Sequence, residues 1–410
     1  MGLALRQSAD LLWEQGKRDD ARARLERAQA IFQSLAQASP AVIHHQVELA
    51  VCHKTLGNWL GSDGHVHPAQ ALAAYERALA IRQRLADAHP EDADLQVGLA
   101  DDLKATALEL ITLRRMDKAL KLLERSRVAW KRLADANPAV TLFQDQEARV
   151  INNMGVALTT SHKYAEALPA YREALSRFQK LTAAHPDEVR LQIRLGYAHN
   201  NVGDTLVRLG DLVGALDEFG RGAAVFRTLA DSHPDEPAYR DDQIYRQLEM
   251  SRVLRKLSRP AEALELDRRS LDLAQRLGEP NPEPGFLADV LSSLAISFSE
   301  AGDTAAAVAA ARRAVGIADK LPRDSASNCL TSADCHAVLW TVCGRVGSGV
   351  SEVEREIEAV TAMARFRDTA KLGLKAFSAV PLPPKPFQQR ADFRLLQMDL
   401  AMPDDPFGPR

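Results

Sequence analysis

Apolar positions recur along most of this chain at steps of one to four residues, a spacing that keeps them on one stripe of a 3.6-residue helix. Leu212, Ala215, Leu216, Phe219, Ala223, Phe226 and Leu229 make such a stripe, with polar residues between them. This and a preceding helical segment lie between Asp187 and Pro234, separated by a short turn at Gly210-Asp211. Alternating runs rich in Val and Ile are scarce. The pattern therefore predicts pairs of amphipathic helices, each burying one face, and no sheet.

The pairs repeat. Prolines that close a Leu-Ala-rich stretch fall at Pro40, Pro90, Pro138, Pro186, Pro234 and Pro282, at intervals of 50, 48, 48, 48 and 48. A second marker keeps step with them: Ala21, Ala71, Ala119, Ala167, Ala215, Ala263 and Ala307, at intervals of 50, 48, 48, 48, 48 and 44. A fixed period of this size is the signature of a repeat array. His-Pro pairs at His89-Pro90, His185-Pro186 and His233-Pro234 halt one helix, and the acids after them suit the start of the next. These histidines read as helix-end residues.

Small residues mark the first helix of each pair, at Ala9, Gly57, Ala107, Gly155, Gly203, Ser251 and Ala295, and the alanine series marks the second. Four residues after the alanine stands an aromatic in three repeats: Tyr75, Tyr171 and Phe219. Small residues allow two backbones to approach, and the ring fills the space beside them. Leu25 and Leu123 replace the ring in two repeats, Asp267 and Ala311 in the last two, so the later repeats are expected to pack less tightly.

Gly155, Tyr164, Ala167, Tyr171 and Ala174 resemble the small-aromatic-small pattern of the tetratricopeptide repeat. That resemblance implies an all-α fold, a right-handed superhelical solenoid of antiparallel helix pairs that binds proteins. The family's repeat is about 34 residues long, so the repeats here are elongated, with helices of about 20 residues. The array is expected over residues 1–321 as about seven pairs. Its first pair starts almost at Ala9, a truncated start that suggests missing upstream sequence. Residues 322–380 are read as an irregular helical cap, with a helical pair around 328–367. Residues 381–410 are read as a proline-rich linker and a short helix. This tail, from Pro381-Leu382-Pro383-Pro384-Lys385-Pro386 to Met402-Pro403-Asp404-Asp405-Pro406-Phe407, resembles the C-terminus of large bacterial serine/threonine protein kinases that carry elongated repeats of the same type. The resemblance implies a regulatory or substrate-docking region, here without its catalytic domain.

A formal net charge of −3 with the two signs interspersed offers no broad attraction to nucleic acid. The N-terminus has no secretory pattern, and no apolar run reaches the roughly 18 residues needed to cross a bilayer. Four cysteines without a Cys-x-x-Cys pair fit a reducing compartment. The expectation is a cytoplasmic protein without a membrane segment.

Chemistry is sparse. Kinase, Walker-type, His-Glu-x-x-His and Gly-x-Ser-x-Gly signatures are absent from the sequence. Two clusters invite a metal: His65 and His67 with His53, and Cys329, Cys335, His336 and Cys343. Zinc takes four convergent ligands from tightly spaced pairs, and these spacings do not supply them. Cys335, His336 and Cys343 could also suggest a nucleophile and base, but free cysteines on amphipathic helices behave as small buried hydrophobes. The reading is therefore no enzyme, no cofactor and no metal.

What remains is a concave groove lined by the first helices. Counting from the small marker, its lining positions are Lys54, Asn58, Lys104, Arg149, Asn152, Asn153, Tyr197, Asn200, Asn201, Tyr245 and Arg252, with Arg255 one turn beyond. Amides can bond a peptide backbone and cations can meet carboxylates, so the expected partner is a protein or peptide, of acidic character. Lys54 and Asn58 also resemble two members of a clamp with which some co-chaperone repeats of this family hold a C-terminal carboxylate; Ala105 stands where that clamp has Asn. Asn152-Asn153 and Asn200-Asn201 have a second reading, in which they satisfy polar groups between helices.

Overall fold

The computed structural model describes residues 1–62, 68–275, 284–321 and 326–343. The described elements are helices, and within each compact unit successive helices pack against one another as antiparallel hairpins. The chain divides into two compact units, Met1–Arg177 and Phe178–Arg410. The first contains α1 (Gly2–Glu14), α2 (Arg18–Ala38), α3 (Ile43–Ser62), α4 (Pro68–Ala88), α5 (Ala93–Thr112), α6 (Met116–Ala136) and α7 (Thr141–Thr160). The boundary falls in α8 (Tyr164–Ala184). The second contains α9 (Val189–Leu209), α10 (Leu212–Ser232), α11 (Ala238–Lys256), α12 (Pro260–Gln275), α13 (Pro284–Glu300), α14 (Thr304–Ala318) and α15 (Ala326–Cys343).

Each hairpin is fixed at one crossing, where a small residue of the first helix meets a larger one of the second. The partners are Ala9 and Leu25, Gly57 and Tyr75, Ala107 and Leu123, Gly155 and Tyr171, Gly203 and Phe219, all buried. The glycines are obligatory beneath rings: a Cβ at 57, 155 or 203 would lie 2.8, 2.6 or 2.7 Å from the facing aromatic carbon. Beneath the leucines an alanine fits. The seven marker alanines, Ala21 to Ala307, are all fully buried and let the second helices approach their neighbours.

The last two hairpins solve the same problem differently from the looser packing expected. Asp267 is fully buried and accepts hydrogen bonds from Ser293 Oγ at 3.0 Å and Ser297 Oγ at 2.6 Å, and from the Arg255 guanidinium at 3.2 Å. Arg255 also reaches Ser251, the small residue of that hairpin, at 3.0 Å. A polar plug spanning α11, α12 and α13 thus occupies the place of the ring. At the next crossing Ala295 and Ala311 are both buried, and Phe298, Val338 and Leu339 pack against them. Val338 and Leu339 belong to α15, which packs on α13 and α14. The predicted partner helix beyond 343, the proline-rich linker and the C-terminal helix lie outside the described residues.

The described turns within hairpins hold one left-handed residue each. Gly16, Gly210 and Gly302 take it at φ of 76°, 87° and 88°, while Arg114, His162 and Ser258 take it at 58°, 60° and 59°. The following helix is capped by a carboxylate at Asp211, which accepts from Gly214 N–H at 2.9 Å, and at Asp303, which accepts from Ala306 N–H at 3.0 Å. Between hairpins, the His89, His185 and His233 N–H groups close the preceding helices onto Leu85, Leu181 and Leu229 carbonyls. Their own carbonyls accept from Asp92, Glu188 and Glu236. The helix-end reading of these histidines agrees with this geometry.

A non-glycine residue in the left-handed region costs about 1 kcal/mol or more. Arg114→Gly and Ser258→Gly should each raise stability by roughly 0.5–1 kcal/mol, read as a higher urea midpoint, whereas Gly302→Ala should lower it. At the crossings, Gly155→Ala should cost about 1–3 kcal/mol through overpacking against Tyr171. Gly155→Ala combined with Tyr171→Leu, which recreates the Ala107–Leu123 pairing, should recover much of that loss in the same measurement.

Candidate functional site

In the first unit, side chains of α3, α5 and α7 meet in a row across successive hairpins. Lys54 Nζ pairs with Asp101 and, at 3.0 Å, with Asp102. Lys104 Nζ lies 2.6 Å from Asp101 and donates to Gln146 Oε1 at 2.8 Å, and Arg149 donates to the same oxygen at 3.1 Å. Burial works to raise the Asp101 carboxyl, yet Lys54 and Lys104 together hold it down to about 2. The cations that the sequence offered to an acidic partner are therefore already engaged by carboxylates and an amide of neighbouring helices. Lys104 is itself buried.

The amides differ. Asn58 is exposed and its Oδ1 accepts from the Tyr75 hydroxyl at 2.9 Å. Asn152 and Asn153 are half-buried on α7. Beside Asn58, on α5, stands a residue that the sequence reading passed over. Glu109 is 5% exposed, and its Oε1 is buried without a hydrogen-bond partner among the described residues. Burial pushes its carboxyl up to about 7.

In the second unit, Tyr197 on α9 is 45% exposed and donates to Asp242 Oδ2 at 2.9 Å. Beneath it the buried Arg246 guanidinium lies 4.9 Å from the Tyr197 ring, 4.4 Å from Phe226 and 5.4 Å from the half-buried Tyr245. Arg246 also donates to Asp242 Oδ1 at 2.6 Å and to its carbonyl at 2.8 Å. Asn200 is buried, and its amide donates to Asp204 Oδ2 at 2.9 Å within α9. Burial, then the charge of Glu249, push the Asp204 carboxyl up. Arg252 holds Glu249 with both carboxylate oxygens at 3.2 Å. Asn201 is half-buried. For Asn200, the reading as a structural amide fits its burial and its bond within the helix.

The metal candidates scatter. His65 and His67 lie outside the described residues, as does the side chain of Cys329. Cys335 and Cys343 are free thiols, both fully buried. Cys335 accepts from Ser292 Oγ at 3.3 Å, and His336 Nε2 lies 3.0 Å from Asp319 Oδ1. Among the described residues no group of three His, Cys, Asp or Glu side chains is placed to hold a metal ion. No described helix is long and apolar enough to cross a membrane.

Comparison with known proteins bears on what such rows belong to. Residues 148–187 and 244–320 each match a family model described as tetratricopeptide repeat. Those two stretches, under a third of the chain, carry the tetratricopeptide-repeat pattern. Among solved structures, the apo form of RapI is similar to it at 11% identity over 90% of this chain and 98% of its own, with a TM-score of 0.50. A signal transduction ATPase with numerous domains and a tetratricopeptide repeat sensor, from Pyrococcus horikoshii, is similar at 12% identity with a TM-score of 0.52. It matches over 89% of this chain and 47% of its own length, so the chain spans about half of that ATPase. At such identities the likeness shows the fold. Comparison with curated proteins found no match. In the repeats, Tyr171 and Ala167 fall within the first matched stretch, and the Arg255–Asp267 plug within the second.

The sign of the Glu109 effect is fixed by its direction. A carboxyl held above its ordinary value of 4.5 favours the neutral form in the folded chain. Stability is then greatest below that ordinary value, falls as pH rises, and levels off above about 7. The neutral isostere Glu109→Gln should match the parent near pH 4 and exceed it at pH 8, by on the order of 2 kcal/mol. Thermal melts across that pH range check this.

Proposed function

We propose that this chain is a non-catalytic interaction module that binds a peptide segment of another protein along the first helices of its repeats. One observation carries the reading: the side chains of α3, α5 and α7, and of α9 and α11, are polar and partly solvent-exposed at positions the hairpin crossings do not use. The crossing pairs themselves do not include Asn58, Asn153 or Tyr197, and Tyr197 packs edge-on against Phe226 of α10. Such side chains offer donors and acceptors to an extended backbone, and Tyr197 adds a ring held in place by Arg246.

The tetratricopeptide repeats support a binding role over catalysis, and the concave groove is the surface that repeat stacking creates. A repeat length near 48 residues belongs to the same reading and is supported by the starts of α6, α8, α10 and α12 at Met116, Tyr164, Leu212 and Pro260. An acidic partner would have to exchange with Asp101 for Lys54 and Lys104, so amide and aromatic contacts are the stronger part of the proposal. A regulatory role beside a kinase domain rests on the resemblance of the tail, whose residues lie outside those described. A cytoplasmic setting fits the unpaired, buried cysteines.

Selection of a displayed peptide library on the full chain tests this directly. Peptides should be enriched, and their affinity by fluorescence anisotropy should fall about tenfold in Asn153→Ala, a loss near 1.4 kcal/mol, with the melting temperature unchanged. Asn200→Ala should instead lower the melting temperature. Failure to enrich any peptide, or equal binding by all variants, would remove the proposal.

A further inference from the structure

Within the row on α3 and α5, the carboxylates differ in what holds them. Asp101 is held by Lys54 and Lys104, and Asp102 by Lys54, with Arg82 Nε at 3.8 Å. Glu109, two turns further along α5, has no cation beside it among the described residues. It is nevertheless nineteen-twentieths buried, with Oε1 sealed from solvent. An unpaired carboxylate in that position is costly unless something completes it.

The space that would be completed lies over Gly61, in the last turn of α3. A Cβ built there would meet Glu109 Oε2 at 3.4 Å and the Tyr75 hydroxyl oxygen at 3.8 Å. Two oxygens on different helices therefore face one small gap that a glycine leaves open. Tyr75 spends its proton on Asn58 Oδ1 at 2.9 Å, so its oxygen faces the gap as an acceptor. A gap lined, among the described residues, by a carboxylate and a hydroxyl lone pair and by no donor suits a group that brings donors and positive charge.

We infer that the gap over Gly61, formed by Glu109 and Tyr75 beside Asn58, is a subsite for one basic side chain, lysine or arginine, of a bound peptide. The inference rests on the peptide-binding reading and gives its partner a chemistry: a cation at one fixed position. An ammonium carries three donors, enough for Glu109 Oε2 and the Tyr75 oxygen that line the gap. Occupation would displace a proton from Glu109 near neutral pH, so binding should tighten as pH rises through about 7. Tyr75 of α4 is the titratable group that faces Glu109 from a neighbouring helix; Asp101 and Asp102, further along α5, are engaged with Lys54 of α3.

The test is a displayed-peptide selection on the full chain, repeated on two variants that keep the fold. Glu109→Gln removes the charge without changing shape. Gly61→Ala fills the gap with a methyl group at ordinary contact distance and favours helix α3. For the parent, lysine or arginine should be enriched at one peptide position, and both variants should lose that enrichment. A selected peptide should bind at least tenfold more weakly to Glu109→Gln, and the same loss should follow replacement of its basic residue by norleucine in binding to the parent. The two changes together should cost no more than either alone. Peptides enriched without a basic position, or bound equally by parent and variants, would overturn the subsite and leave the peptide-binding reading standing. No enrichment at all would overturn both.

Discussion

Two helices in a hairpin can pack only if the side chains at their crossing add up to the space between the backbones, and every hairpin here meets that constraint with the same two positions. A ring demands glycine opposite, because any Cβ would fall inside van der Waals contact with it. A leucine tolerates alanine. Asp267 requires a third party, since a carboxylate cannot be buried beside a serine alone, and Arg255 with the α13 serines supplies it. Two alanines leave room that Phe298 and the side chains of α15 occupy. The conserved quantity across hairpins is filled volume, reached by four chemistries.

Because packing is settled at those crossings, the remaining face of each first helix is released from the core. Polar side chains can then accumulate there, and they pair with residues at nearly the same place in the next repeat. Lys54 with Asp101, and Lys104 with Gln146, are separated by 47 and 42 residues in sequence, close to one repeat. In the second unit the same logic joins Tyr197 to Asp242, 45 residues apart. Such pairs hold adjacent hairpins in register while their charges remain near the surface, where exposed ion pairs contribute little stability and much orientation.

The sequence was most legible where periodicity and volume coincide. The alanine series, the small residues of the first helices and the ring positions could all be read without coordinates, because a residue that recurs in frame and is small has few uses other than close approach. The His-Pro boundaries were legible for the same reason. Charges were not. Lys54 and Lys104 look like open cations in sequence because Asp101, Asp102 and Gln146 sit about one repeat away, on a neighbouring helix face that pattern alone does not bring into contact. Asp267 looked like a defect in the series, since the compensating Arg255, Ser293 and Ser297 come from two other helices. Glu109 was hidden by the most ordinary appearance of all, an acid on an amphipathic helix. The left-handed turn residues Arg114, His162 and Ser258 escaped because glycine announces that conformation and other residues do not.

The pairing of charges also changes what kind of recognition the first-helix faces can perform. An uncommitted row of cations would draw in any acidic chain, with little regard to sequence and strong dependence on salt. A row in which Asp101 and Asp102 pair with Lys54 and Lys104, and Gln146 accepts from Arg149, offers less of that general attraction; a partner gains most where it supplies what the row lacks. Those places are few and chemically distinct: amides at Asn58 and Asn153, an aromatic face at Tyr197, and a buried carboxylate at Glu109. Selectivity in this arrangement comes from the exceptions in a balanced surface, because a ligand that misplaces a charge must break an existing ion pair as well as forgo its own.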